Sequence, residues 1–296
     1  EEGEFDAALL ASTYIPFVRN VENELIKMAQ AGHEASIINA HERFLAEGIY
    51  ERKHYYSSEG DSEMQNTRCV FEAAVDADML DVAADMVNEV VNVSQLTNML
   101  SRAIPKLVEL NQISIPESLD ATGLHRLTDQ LLSGIVNGFD MDAHEREYDI
   151  SKLRANWRKE WTDDNRRAVQ SALMFSLGIE FSNSGRIKDA EKIAAALRQV
   201  NDHGGIELKR FIAVGHFKES DIDSALEHYK EFMADWYQPK DGWVARHAVV
   251  ELAKRGAVAE SLLMATDYYD PELFGITNAG YLLALAVAAS HDVFEK

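Results

Sequence analysis

The stretch LGIEFSNSGRIKDAEKIAAAL, from Leu177 to Leu197, predicts two helices joined by a tight turn. Apolar residues recur every three or four positions on either side of a polar segment, which is the spacing of helices with one buried face. Glycine inside a helix costs about 1 kcal/mol relative to alanine, so Gly178 needs a structural reason. We expect Gly178 and Ala190 to let the two helices of the pair approach closely, and Gly185 to form the turn.

The same pattern returns further along the chain. The segment SGRIKDAEKIAAAL, which starts at Ser184, aligns with ESDIDSALEHYKEF, which starts at Glu219, at an offset of 35 residues. The segment RGAVAESLLMATDY, which starts at Arg255, continues the series. A period of this length is typical of helix pairs that stack and bury a continuous core. Prolines number only five, and alternating strand patterns are absent. We therefore predict an all-α fold, an α-solenoid of stacked antiparallel helix hairpins.

These residues resemble the tetratricopeptide repeat. A unit that starts at Ser171 has the leucine, small residue, aromatic, turn glycine and alanine of that family at the expected spacing, in Leu177, Gly178, Phe181, Gly185 and Ala190. The resemblance covers roughly residues 171–270. It implies a superhelix whose concave surface binds another protein.

Two further units follow with fewer matches. The second, from Ile206, keeps small residues at Ala213 and Ala225 and an aromatic at Tyr229, but it has His216 and Ser220 where an aromatic and a glycine are usual. The third, from about Gly242, has Val249 and Ser261 at the small positions. Plant-type organellar repeats of similar length are a related possibility, but they bind RNA through basic surfaces, and this chain is acidic.

We predict two domains, because loop-forming segments interrupt the chain and the repeat pattern is clearer in its second half. Residues 1–138 form an N-terminal region of helical hairpins with degenerate repeats, and residues 139–296 hold the tetratricopeptide-like repeats. The alternative is one continuous solenoid. The boundary falls at Asn137–Asp149, and Asn111–Gly123 is a second candidate loop. A shorter break is predicted at Asp76–Asp78.

Composition narrows the possible partners. Fifty acidic residues against 29 basic ones give a formal charge of −21, which repels phosphate backbones and anionic lipid surfaces. We therefore expect no nucleic-acid partner. The longest apolar run, Gly275–Ala289, is too short to span a bilayer. Cys69 is the only cysteine, so an intramolecular disulfide is excluded, and we predict that Cys69 is a small buried side chain.

The sequence leaves the cellular compartment and the oligomeric state open. The chain begins EEGEFDAALLAS without an initiator methionine. A cytoplasmic location is favoured, and a mature exported protein whose signal has been removed is the alternative.

No pattern predicts catalysis, a cofactor or a metal site. Glycine-rich phosphate loops and a Gly-x-Ser-x-Gly elbow are missing. His33 and His41 are eight residues apart, whereas two zinc ligands on one helix face are four apart. Asp163 and Asp164 raise the possibility of an all-α enzyme that uses a divalent metal ion. A helix N-terminus capped by Thr162 explains these aspartates better.

The family resemblance points to a groove formed by the first helix of each pair. The partner-binding residues that it implies are Asn183, Arg210, Phe217, Lys218, Trp243, Arg246 and Lys254. Apolar positions on the same helix faces are Phe175, Ile179, Val214 and Val250. Arginine donates paired hydrogen bonds to carboxylates, so such a groove suits an acidic peptide or a C-terminal carboxylate. The alternative is that the arginines pair with the chain's own acidic residues and that the aromatic residues belong to the core.

The function expected from sequence is therefore a non-enzymatic scaffold or adaptor that binds a partner protein or peptide. This expectation rests on family analogy. The alternative is a helical-repeat receptor for a short peptide or a small ligand. The metal-dependent enzyme at Asp163 and Asp164 is a third possibility.

Overall fold

A computed structural model describes residues 34–50, 58–141, 162–200 and 202–219, with residues 221, 223–225, 227–228, 231, 249–250, 252–254 and 261 beyond them. Side chains are described for all of these except residues 58–66, 202 and 217. Every regular element within this part of the chain is a helix, which confirms the all-α class. In chain order the helices are α1 (Glu34–Ala46), α2 (Ser58–Asp76), α3 (Leu80–Glu89), α4 (Val93–Leu110), α5 (Ala121–Val136), α6 (Asp163–Asn183), α7 (Ile187–Val200) and α8 (Asp202–Lys218).

The chain divides into two compact units. The first contains residues up to Ser114 and Thr122–Ser176, and the second contains Ile115–Ala121 and Leu177–Lys296. Helix α6 contributes its residues up to Ser176 to the first unit and the remainder to the second. This division differs from the predicted boundary after residue 138. None of the described helices is long and apolar enough to cross a membrane.

Helix α2 is central to the first unit, where it packs against α1, α3 and α4. Cys69 lies on α2 and is fully buried, as predicted. Large apolar side chains fill the space between these helices, because each helix presents one apolar face to its neighbours. The largest of them that are almost fully buried are Phe71, Met86, Leu96, Met99, Leu100, Ile104 and Leu107.

The break predicted at Asp76–Asp78 is confirmed as the turn between α2 and α3. Asp78 has a left-handed backbone conformation, with φ of 59°. The amide of Met79 donates to the carbonyl of Ala74 at 2.9 Å, which satisfies one of the last carbonyls of α2. Aspartate is among the few residues other than glycine that adopt this conformation readily.

The predicted turn at Gly185 ends α6 in the same way. Gly185 has φ of 78°, and the amide of Arg186 donates to the carbonyl of Phe181 at 2.8 Å. The Arg186 guanidinium lies over the Phe181 ring, 3.9 Å from its centroid. A left-handed residue, a hydrogen bond back across the last turn and a side-chain contact over it together form a left-handed C-terminal cap.

The predicted loop at Asn111–Gly123 is also confirmed, since α4 ends at Leu110 and α5 begins at Ala121. The Asn111 side chain fixes the start of this loop. Its amide group donates to the carbonyls of Leu107 and Phe139, at 3.0 Å each. The second predicted loop begins after α5, but residues 142–149 lie outside the described residues.

Within the second unit, the small residues predicted for close packing are buried. Ala190 is fully buried on α7. At Gly178 the close neighbour differs from the one expected: a Cβ atom at Gly178 would collide with the Cδ methyl groups of Leu208. Leu208 lies on α8, whereas the prediction had α7 as the partner. The small size of Gly178 thus makes room for the helix after the hairpin, because a buried leucine occupies the space beside it.

A buried polar pair belongs to the first unit. His41 of α1 shares a hydrogen bond of 2.9 Å, through Nδ1, with the Tyr50 hydroxyl. The carbonyl of Tyr50 accepts from the amide of Val91 at 3.0 Å, beyond the end of α3. Burial raises the pKa of the Tyr50 hydroxyl and lowers the pKa of His41, although Asp85, Glu89 and Glu42 act on His41 in the opposite direction. Burial thus favours the neutral form of His41.

We predict that Gly185→Ala lowers the free energy of unfolding by about 1–2 kcal/mol, because a side chain at φ of 78° is strained. Gly185→Asn should cost less, since asparagine tolerates the left-handed region. Chemical denaturation of the three proteins at neutral pH measures both effects. Equal stability of the alanine variant and the wild type would contradict the cap.

The stability that His41 contributes should depend on pH. The unfolded state binds a proton at His41 at a higher pH than the folded state does, so the stability contributed by neutral His41 is present above about pH 6.5 and falls as the pH drops below it. The stability difference between wild type and His41→Gln should therefore shrink between about pH 7.5 and about pH 5.5. Urea denaturation at both values measures it, and a difference independent of pH would show that His41 does not titrate in this way.

Candidate functional site

The predicted groove residues are only partly described. Side chains are placed for Asn183, Arg210, Lys218 and Lys254. Phe217 lies in α8 without a described side chain. Trp243 and Arg246 lie outside the described residues, so their assignment stays a prediction.

Asn183 and Lys218 are brought together. The Lys218 ammonium donates to the Asn183 side-chain oxygen at 3.0 Å, and both residues are exposed. They lie at the ends of α6 and α8 and are 35 residues apart, which is the offset found in the sequence. The ends of α6 and α8 are therefore direct neighbours.

Arg210 forms local contacts. Its Nη2 lies 2.8 Å from the carboxylate of Glu207 on the same helix, and its guanidinium lies 4.9 Å from the centroid of the Phe211 ring. The neighbouring Lys209 pairs with Glu231, and this contact lowers the pKa of the Glu231 carboxyl. Arg210 thus pairs with an acidic residue of its own chain, and its place in the groove stays a prediction.

The described groove positions also differ in how far their side chains are exposed to solvent. Val214 is 3% exposed and belongs to the core, so its placement on the ligand face was wrong. Lys254 is exposed. Among the described groove residues, the exposed polar side chains are therefore those of Asn183, Lys218 and Lys254, with Arg210 partly buried.

The aspartates considered for a metal-dependent enzyme lie at the N-terminus of α6. The Thr162 hydroxyl accepts from the amide of Asn165 at 3.2 Å, which confirms the predicted cap. Asp163 and Asp164 are exposed in the first turn, and Asp164 lies 3.7 Å from Arg167. Carboxylates here favour the positive end of the helix dipole, which accounts for both residues.

A cluster that sequence analysis did not anticipate joins three helical segments of the second unit. It consists of Glu191 on α7, His216 near the end of α8, and His228 in the helical residues that follow. Glu191 Oε1 lies 3.0 Å from His228 Nε2 and 3.6 Å from His216 Nε2. The two imidazole rings stack, with centroids 5.2 Å apart and planes 15° from parallel. We call these three residues the His–Glu–His cluster.

Asp221 connects the cluster to the local backbone. Its Oδ2 lies 3.4 Å from His216 Nδ1, and its Oδ1 accepts from the amide of Ser224 at 3.1 Å. Asp221 therefore caps the helical residues that carry His228. Hydrogen bonds from Ser224 lower the pKa of the Asp221 carboxyl, and His216 acts in the same direction. One carboxylate thus begins a helix and holds a histidine of the cluster.

The alignment of the sequence repeats contained a signal for this cluster. His216 occupies the position that corresponds to Phe181 in the preceding sequence repeat, and Phe181 is fully buried. A histidine at a buried repeat position needs polar partners. On sequence alone, His216 is only a departure from the family pattern.

Fold and site together define an all-α protein with a His–Glu–His cluster where three helical segments meet. Comparisons with protein-family models, with curated proteins and with solved structures find no match.

We predict that Asp221→Ala lowers the midpoint of thermal unfolding, because it removes both the helix cap and the carboxylate beside His216. Asp221→Asn should retain most of the stability, since asparagine is an equally good cap. Differential scanning calorimetry of both variants measures this. Identical midpoints for the wild type and the alanine variant would show that the cap contributes nothing.

Proposed function

We propose that the chain is a helical-repeat scaffold that binds an acidic segment of another protein, on a surface formed by the first helices of successive pairs. The proposal retains the resemblance to the tetratricopeptide repeat and its solenoid architecture. It assigns the protein no catalytic role of its own. The net charge of −21 argues against a nucleic-acid partner.

Burial at the repeat positions supports the stacked architecture. Three pairs of residues occupy the small positions of the proposed units, each pair separated by twelve residues: Gly178 and Ala190, Ala213 and Ala225, Val249 and Ser261. All six residues are buried. In the third pair the Ser261 hydroxyl donates to the carbonyl of Val249 at 2.7 Å, so these two positions are in contact. Small residues at such a contact allow two helices to approach closely.

The first unit of the structure supports the same arrangement. Helices α2 and α3 form a hairpin with a left-handed turn residue, and α4 then packs against α2. In the second unit, α7 follows the left-handed turn at Gly185, and α8 then packs against α7. A hairpin covered by the next helix is the building block of a helical solenoid.

One observation carries the proposed binding surface: Asn183, Lys218 and Lys254 occupy the same position in the three successive sequence repeats, and all three side chains are exposed. The hydrogen bond between Asn183 and Lys218 supports the adjacency of this position in two consecutive repeats. Two of the three side chains in this row are exposed lysines, although the chain has 50 acidic residues and only 29 basic ones. A partner with carboxylates along an extended or helical segment is complementary to that row.

The test reverses the charge of this row. Lys218→Glu combined with Lys254→Glu should abolish capture of an acidic partner, because the carboxylates would then face each other. The measurement is affinity capture from the native lysate at low and moderate salt, followed by titration of the captured partner against the purified protein.

The matched control is Arg166→Glu combined with Lys188→Glu, which makes the same change of charge at exposed positions on α6 and α7 outside the row. A partner lost from the first variant and retained by the control supports the proposal. Equal binding to both variants would remove the row from the binding surface. Binding of a small molecule alone, unaffected by either variant, would favour the receptor alternative.

A further inference from the structure

We propose that Glu191, His216 and His228 form a binding site for a divalent transition-metal ion such as Zn²⁺. The inference does not depend on partner binding. Among the residues that the structure describes, these three have potential ligand atoms within 4.8 Å of one another. Two imidazoles and one carboxylate are a donor set that Zn²⁺ and its neighbours in the first transition row bind well.

The distances between the donor atoms suit one ion. Bonds of about 2.0–2.1 Å from zinc place neighbouring ligand atoms of a tetrahedral site about 3.3 Å apart. Glu191 Oε1 lies 3.0 Å from His228 Nε2 and 3.6 Å from His216 Nε2, on either side of that value. The third separation, between the two histidine nitrogens, is within 4.8 Å, so the three donor atoms can reach a shared ion once the rings turn.

One rotation accompanies binding. The rings are stacked 15° from parallel, so the in-plane directions of their Nε2 atoms do not yet converge on one point. Rotation about the bond from Cβ to the ring brings them together, and the energy profile of this torsion is broad. The proton that His228 Nε2 donates to Glu191 leaves on binding, and Nδ1 takes up a proton in its place, so that the Nε2 lone pair can bond to the ion.

Asp221 supplies the outer carboxylate that metal-binding histidines commonly have. It lies 3.4 Å from His216 Nδ1, the ring nitrogen on the other side from Glu191. A proton held on Nδ1 by this carboxylate leaves the lone pair on Nε2, where it faces the site. Asp221 is thus a positioning residue rather than a ligand.

The hydrogen bonds of the cluster leave donor atoms to spare. His216 Nε2 and His228 Nδ1 are buried without a hydrogen-bond partner. Leaving a buried polar nitrogen unbonded is unfavourable. A metal ion bound to His216 Nε2 would satisfy one of them and would neutralise Glu191 at the same time.

A metal ion here would connect successive helix pairs. Glu191 belongs to the second helix of one pair, whereas His216 and His228 belong to the pair that follows it. Three protein ligands leave at least one coordination position for water or for a donor from a partner. The ion would stabilise the folded state, because the unfolded chain does not hold these ligands together.

The experiment is a titration of the full chain, first freed of metal by a chelator, with Zn²⁺ in the presence of a competing chromophoric chelator. Wild-type protein should bind one equivalent through this site, and its thermal midpoint should rise with Zn²⁺. The variants Glu191→Gln, His216→Gln and His228→Gln should each lower the affinity by about 100-fold or more and abolish the thermal shift. Co²⁺ provides a second readout, because its visible absorption reports four-coordinate binding by these ligands.

Two further variants keep the test decisive. Asp221→Asn leaves the three ligands in place, and it should weaken Zn²⁺ binding by about 10–100-fold. His203→Gln removes an exposed histidine on α8 outside the cluster and should bind as the wild type does. Circular dichroism checks that each variant is helical. Absence of Zn²⁺ binding by the wild type, or wild-type affinity in any of the three ligand variants, would overturn the proposal.

Discussion

The left-handed turn at Gly185 is the constraint on which the second unit depends. It ends α6 and reverses the chain so that α7 begins two residues later. Most residues other than glycine would be strained at this backbone conformation. The cap also uses Phe181, whose carbonyl accepts from Arg186 and whose ring lies under its guanidinium. One residue thus determines where a helix stops and which residues can meet across the turn.

Local features of the fold could be predicted because their causes are local. The turn at Gly185, the break at Asp76–Asp78 and the cap at Thr162 each follow from the conformational or hydrogen-bonding preference of a residue and its near neighbours. Helical periodicity was sufficient for the all-α class. The residue that fills the space beside Gly178 could not be predicted in this way. Leu208 is on another helix, and the pattern of α6 alone contains no information about which helix lies there.

The His–Glu–His cluster could not be predicted from spacing for the same reason. Metal motifs are recognised in sequences when their ligands share one helix or one loop, whereas Glu191 and His228 are 37 residues apart on different helices. Their proximity results from the packing of three helical segments. An alignment of the repeats does point to one member of the cluster, since it places His216 at the position where the preceding repeat has the buried Phe181. An interruption of a repeat pattern is therefore a useful place to look for chemistry.

The sharing of α6 between the two units has a consequence for how the protein can be divided. Val169, Leu173 and Met174 are fully buried, and they belong to the part of α6 that clusters with the first unit. A fragment that begins after residue 138 would separate these apolar side chains from α1–α5, which are grouped with them, and we expect it to expose them to water. A fragment that ends at residue 138 would lack them altogether. A fragment of the first unit is therefore better extended through α6 than ended at residue 138, and aggregation of a piece that begins after residue 138 would be explained by the loss of α1–α5.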